Sequence, residues 1–173
     1  SAKNALENFF SRKDTLSIGI CNGCQLFMEL DLIYPGHENH GKMTFNDSRK
    51  HESNFTSVKI NTNNSIMLGS LEKLNLGVWI SHGEGKFKLP YPKENYNIVA
   101  EYGYSNYPSN PNGSDYNTAM LCSEDGRHLV TMPHIERSIF KWNWAYYEDN
   151  RDDILSPWIL AFLNAKNWIL ENS

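Results

Sequence analysis

Gly19 and Gly23 stand two residues to either side of Cys21, and this arrangement most narrows what the chain can fold into. Leu16 to Ile20 is a short apolar stretch that reads as a strand, while Leu26, Phe27, Leu30 and Leu32 open a helical pattern. Strand, tight glycine-containing turn and helix make the βα unit of a parallel sheet. Gly-x-Cys-x-Gly at such a turn is a nucleophile elbow with Cys in place of Ser. Side chains at both flanking positions are expected to clash. The helix that follows offers free N–H groups and partial positive charge, which lower a thiol pKa and stabilise an oxyanion. Cys21 is therefore a candidate nucleophile, and the backbone N–H of Asn22 the natural oxyanion donor. Cys21-x-x-Cys24 also fits a redox pair, half of a zinc site or two buried core thiols. Zinc needs four ligands, and no second Cys-x-x-Cys or close Cys/His pair exists. Cys24 and Cys122 read as structural.

The remaining elements are mixed. Ala2 to Phe10 carry helical spacing with Leu6, Phe9 and Phe10 on one face. Phe55–Ile60, Ser65–Leu68, Val78–Ser81 and Ile98–Tyr102 read as short strands between turn clusters such as Asn61-Thr62-Asn63-Asn64 and His82-Gly83-Glu84-Gly85. Tyr104 to Asn117 is a polar Pro/Gly/Asn-rich loop, expected on the surface and over a site. Thr118–Ser123 and His128–Met132 read as strands joined by the turn Glu124-Asp125-Gly126-Arg127. Ser156 is a good N-cap and Pro157 suits a first helical position. Trp158, Phe162, Ala165 and Ile169 then recur at helical spacing, so the last helix is expected to pack that face on the sheet. The fold class is α/β with a β-rich middle.

A cysteine nucleophile needs a base, and the base needs a group to hold its tautomer. His134-Ile135-Glu136 offers both. Alternation places His134 and Glu136 on one side of an extended segment, so the carboxylate reaches one ring nitrogen while the other faces the thiol. The competing reading has His134 capping a loop and Glu136 paired with Arg137 in solvent.

The 173 residues have the length of one domain, and the net charge of −4 gives no electrostatic footprint for nucleic acid. No apolar run approaches a membrane span. Three cysteines, an odd count, read as thiols in a reducing, cytoplasmic compartment rather than as a disulfide framework.

Gly19-Ile20-Cys21-Asn22-Gly23-Cys24-Gln25 and Met132-Pro133-His134-Ile135-Glu136-Arg137 together resemble the class I glutamine amidotransferase domains of the purine-pathway phosphoribosylformylglycinamidine synthases. Ser81-His82-Gly83-Glu84-Gly85, Asn110-Pro111-Asn112-Gly113-Ser114, Arg49, Glu52 and Ser156-Pro157-Trp158 extend the likeness over almost the whole chain. The resemblance implies a flavodoxin-like glutamine amidotransferase fold and a Cys21, His134, Glu136 triad, with Gln25 beside the glutamine pocket. It implies L-glutamine as substrate and a synthetase region, fused or separate, as partner. ATP and magnesium belong to that region; residues 1–173 hold no phosphate loop, no metal cluster and no cofactor site.

Relative to the family, the strands ahead of the elbow and a Gly-Gly loop supplying a second oxyanion donor are expected to be missing. Residues 1–173 then form one partial domain, nearly inactive alone and prone to self-association through its truncated sheet. His82 and Glu84 read equally as pocket lining or as a structural turn. Trp142, Trp144, Tyr146 and Tyr147 read as packing or subunit contact. Two other classes compete: a stand-alone cysteine hydrolase of γ-glutamyl bonds, and a non-catalytic docking module.

Overall fold

The computed structural model describes residues 2–172. Helix α1 (Ala2–Ser11) leads into strand β1 (Ser17–Ile20), the elbow and helix α2 (Asn22–Glu29). The β-rich middle follows as β2 (Lys42–Thr44), β3 (Glu52–Ile60), β4 (Asn75–His82), β5 (Lys86–Lys88), β6 (Asn97–Tyr102), β7 (Thr118–Cys122) and β8 (His128–Thr131), and helix α3 (Ile159–Asn172) comes last. Six strands form one mixed sheet in the order β1-β8-β7-β6-β3-β4, and β2 pairs with β5 in a separate ribbon. Only β1 and β8 run parallel, with Ser17 opposite His128 and Ile20 opposite Thr131; the other pairs are antiparallel.

Every residue of β7 and β8 is buried, as expected for central strands covered on both faces. Their side chains divide between two apolar layers. Leu129 joins a core with Val58, Ile80, Met120 and Trp158, while Val130 and Leu121 face Phe10, Cys24 and Met28 on the side of α1 and α2. Alternation along the pleat thus builds a three-layer sandwich from one short hairpin.

Three expectations from the sequence are corrected. Ser65–Leu68 is a turn running into the 3-10 turn Gly69–Leu71. Asn63 Oδ1 accepts from the Ser65 N–H at 2.8 Å, and Gly69 N–H donates to Ser65 O at 2.8 Å, so local bonds displace the sheet ladder. Met67, Leu68 and Leu71 still enter the core. The loop 104–117 is exposed at Tyr104 and Tyr107 but buried at Asn110, Asn112 and Ser114. Its polar side chains serve the backbone there: Asn112 Oδ1 accepts from Ser114 N–H at 3.0 Å, and Ser114 Oγ accepts from Phe87 N–H at 3.0 Å. It buttresses the segment ahead of β3, where Asp47 N–H donates to Asn112 O. Third, α3 packs only through its first two turns. Ala161, Phe162 and Ala165 join the core, but Ile169 is 47% exposed.

Ser156 acts as the expected cap, its Oγ accepting from Trp158 N–H at 3.3 Å and donating to Ser138 O at 2.6 Å. Trp158 is fully buried and donates from Nε1 to Gly77 O at 2.8 Å, which ties α3 to β4. Trp158→Ala removes that anchor and opens a cavity. It is expected to cost about 3–5 kcal/mol, read as a lower urea midpoint at unchanged m-value.

Candidate functional site

Cys21 holds φ 51° and ψ −103°, a left-handed conformation that costs a non-glycine residue about 1–3 kcal/mol. Two bonds retain it: its N–H donates to Thr131 O at 2.8 Å, and Gln25 N–H donates to Cys21 O at 3.0 Å. The elbow is thereby clamped between β8 and the first turn of α2. The first N–H groups of α2 have no intrahelical acceptors, and among the described residues no side chain at its N-cap takes their place. Asn22, exposed at that terminus, contributes one of them.

Gly19 is required by close approach. A Cβ there would lie 2.7 Å from Gly23 O and 2.8 Å from Phe27 Cδ2. The expectation of a second clash at Gly23 is corrected, since a Cβ on Gly23 meets nothing within 4 Å. Crowding therefore acts at the strand side of the elbow only.

His134 follows β8, and its N–H donates to Trp79 O at 2.7 Å, docking the segment onto β4. The expected extended geometry is replaced by a 3-10 turn, Ile135–Arg137. That turn curls Glu136 back to the ring, with Glu136 Oε1 2.6 Å from His134 Nδ1. Arg137 Nε lies 3.6 Å from the same oxygen. His134 is 6% exposed. Its pKa is pushed up to about 9, first by a hydrogen bond with Cys21 and then by Glu136. The nucleophile candidate thus lies beside an imidazole held by a carboxylate, although 113 positions separate Cys21 from His134 in the chain.

A second wall comes from the end of β4 and the turn after it. Cys21 Sγ lies 3.6 Å from Ser81 O, and Gln25 Nε2 donates to Glu84 O at 2.9 Å. The His82-Gly83-Glu84-Gly85 turn therefore adjoins the elbow, and it reaches it through backbone carbonyls. His82 itself is buried, and burial pushes its pKa down to about 4. Sequence reasoning missed Asn46, and it quoted Ser81 only among the residues of the resemblance. Asn46 is fully buried against this turn, and Asn46-Asp47-Ser48 carries no signal beyond that of an ordinary turn.

Other residues take lesser places. Cys24 lies on the buried face of α2, where desolvation pushes its thiol pKa well up, and all three cysteines are free. A buried, strongly protonated thiol is a poor redox partner for Cys21. Arg49 holds φ 57° over the Phe45 ring, and Glu52 pairs across strands with His82. Trp144 packs with Phe55, whereas Trp142 and Tyr146 are exposed. A cleft of about 780 Å³, lined in part by Phe10, Asp31, His40 and His128, opens at the other end of β1 and β8 from Cys21. Among the described residues, no group of three or more His, Cys, Asp or Glu is placed to hold a metal ion. No helix among them is long and apolar enough to cross a membrane.

The strained Cys21 elbow and the His134–Glu136 pair lie together at the carboxyl ends of the parallel strands β1 and β8. The chain belongs to the CobB/CobQ-like glutamine amidotransferase domain family, whose model matches residues 1–169. It is 40% identical to a probable phosphoribosylformylglycinamidine synthase of Caenorhabditis elegans, over 98% of this chain and 15% of that protein. It is 36% identical to phosphoribosylformylglycinamidine synthase of Homo sapiens, over 97% of this chain and 15% of that one. The chain thus spans about one seventh of the length of these relatives. The structure of PurLQS from Thermotoga maritima superposes with a TM-score of 0.69 at 22% identity, over 97% of this chain and 66% of that one, which shows a shared fold.

His82 yields a pH prediction. Its folded pKa lies below the ordinary value of 6.5, so the unfolded chain binds the extra proton between about pH 6.5 and 4. Its contribution to stability is present above pH 6.5 and lost as pH falls toward 4, by at most about 1.4 kcal/mol per pH unit. Urea midpoints of His82→Gln are expected to fall less steeply than wild type over that window.

Proposed function

We propose that the Cys21 site hydrolyses L-glutamine and that its ammonia serves a synthetase region of the same enzyme. The observation that carries the proposal is the strained Cys21 elbow beside His134, whose Nδ1 lies 2.6 Å from Glu136 Oε1. The raised His134 pKa favours the imidazolium, which suits an imidazolium–thiolate pair.

The thiolate of Cys21 attacks the glutamine carboxamide carbon, and the oxyanion forms against the open N–H groups at the start of α2, that of Asn22 among them. His134 delivers its proton to the departing nitrogen, the C–N bond breaks, and ammonia leaves behind a γ-glutamyl thioester. A water then attacks the thioester carbonyl while His134 takes its proton. The C–S bond breaks, glutamate departs, and the Cys21–His134 pair is restored. Glu136 accepts from Nδ1–H throughout, so the proton in transit is carried by Nε2. Gln25 lines the glutamine side of the site, and His82, expected there too, is buried behind the turn and serves it from within.

In the synthetase region, ATP with magnesium activates formylglycinamide ribonucleotide, and ammonia replaces its amide oxygen to give formylglycinamidine ribonucleotide. The names and extent of the relatives support this assignment. ATP and magnesium are assigned to that synthetase region. The reading places the enzyme in the cytoplasm.

In the whole natural protein, Cys21→Ala is expected to abolish glutamine-dependent synthesis and to spare synthesis from added ammonium. Retained glutamine turnover would refute the nucleophile assignment. Glu136→Gln keeps the shape but removes the anion, so His134 loses part of its upward shift. Glutaminase kcat is expected to drop about 10²–10⁴-fold, measured as glutamate release. A γ-glutamyl peptide hydrolysed faster than glutamine would favour a stand-alone hydrolase instead.

A further inference from the structure

Asn46 lies between β2 and β3, and its side chain uses every hydrogen-bonding position it has. Nδ2 donates to Lys50 O at 2.9 Å and to His82 O at 2.7 Å. Oδ1 accepts from Gly85 N–H at 3.0 Å and meets His82 Nδ1 at 3.1 Å. The main chain adds Asn46 N–H to Gly83 O at 2.9 Å. The two carbonyl partners identify the amide nitrogen, and the Gly85 N–H identifies the oxygen. The ring nitrogen on that oxygen must then carry a proton. With its pKa held near 4, His82 is neutral, so it is the Nδ1–H tautomer. Its Nε2 is an acceptor, buried and without a hydrogen-bond partner among the described residues.

Four of these bonds end on residues 82–85. That turn, with Ser81 before it, supplies the carbonyls that face the elbow: Ser81 O beside Cys21 Sγ, and Glu84 O bound to Gln25. Gly85 is held close as well, since a Cβ there would enter the His82 ring. We propose that Asn46 is a positioning residue of the Cys21 site, holding the 82–85 turn against the elbow and fixing His82 in its Nδ1–H tautomer. The chemistry demands asparagine. Aspartate keeps the acceptor but loses both donors, and alanine loses all four contacts. Because Asn46 touches neither Cys21 nor His134 by any hydrogen bond described here, it acts through the turn. The proposal rests on Cys21 being the nucleophile.

The test uses the whole natural protein. Asn46→Ala is expected to lower glutamine-dependent kcat/KM about 10²-fold, the scale of a displacement of about 1 Å in a reacting group. Ammonium-dependent synthesis should stay at the wild-type rate. Cys21 should still be alkylated at the wild-type rate by iodoacetamide, whose iodide the thiolate displaces without any glutamine side chain being seated first. It should react about 10²-fold more slowly with a γ-electrophilic glutamine analogue, which must bind in register first. Asn46→Asp, of the same shape, should show the same selective loss, and it decides alone if Asn46→Ala does not fold. Wild-type glutamine kcat/KM in these variants would overturn the proposal. So would equal slowing of both reagents, which would make Asn46 structural only. The underlying reading fails separately, if Cys21→Ala still turns over glutamine.

Discussion

Parallel pairing of β1 with β8 is the contact on which the site depends. Ser17–Ile20 and His128–Thr131 are in register along their whole length, so both strands end at the same level. The bond from Cys21 N–H to Thr131 O extends that ladder by one step into the elbow. Cys21 and the segment carrying His134 therefore leave the sheet side by side, at the carboxyl ends of parallel strands, where α/β sheets place their sites. A slip of one residue would turn Leu129 and Val130 to the wrong apolar layers, so burial on both faces enforces the register. Stability and site geometry share one cause.

Around that pair the antiparallel strands act as a frame. β4 lies at the far edge of the sheet order, yet its end curls to the site through the bridge from Trp79 to His134. Asn46 then joins the turn after β4 to the segment before β3 with bonds that leave none of its polar atoms free. Buried amides with a full complement of partners are rigid, because any movement leaves a polar group unpaired at about 1–3 kcal/mol. The wall opposite Cys21 is therefore held by a polar network, whereas the elbow is held by apolar packing and backbone strain.

What was legible in the sequence follows from the range of each interaction. The elbow is local: Gly19, Cys21 and the strand and helix around them lie within a few residues, and the structure differs only in leaving Gly23 uncrowded. The hairpin of Thr118–Cys122 with His128–Thr131 and the Ser156 cap are local too, and all were readable. Ser65–Leu68 misled because its apolar residues suit a strand, while Asn63 and Ser65 satisfy the backbone in a turn. Ile169 continued a helical period beyond the part of α3 that meets the sheet. The His134–Glu136 contact was readable as a pair, but its 3-10 path was not, since it follows from docking on Trp79.

By itself the sequence singled out the candidate groups, a thiol on an elbow and an imidazole and a carboxylate two residues apart, and the apolar periods that build two core layers. Only the tertiary structure decided that these groups leave the sheet from neighbouring parallel strands, 113 positions apart in the chain. It alone also placed the His82 side chain in the protein interior and the Asn46 amide against the turn beside Cys21. The physical reason is that a hydrogen bond between distant residues leaves no period, cap or glycine in the chain. It exists only once sheet register and burial have brought its two ends together.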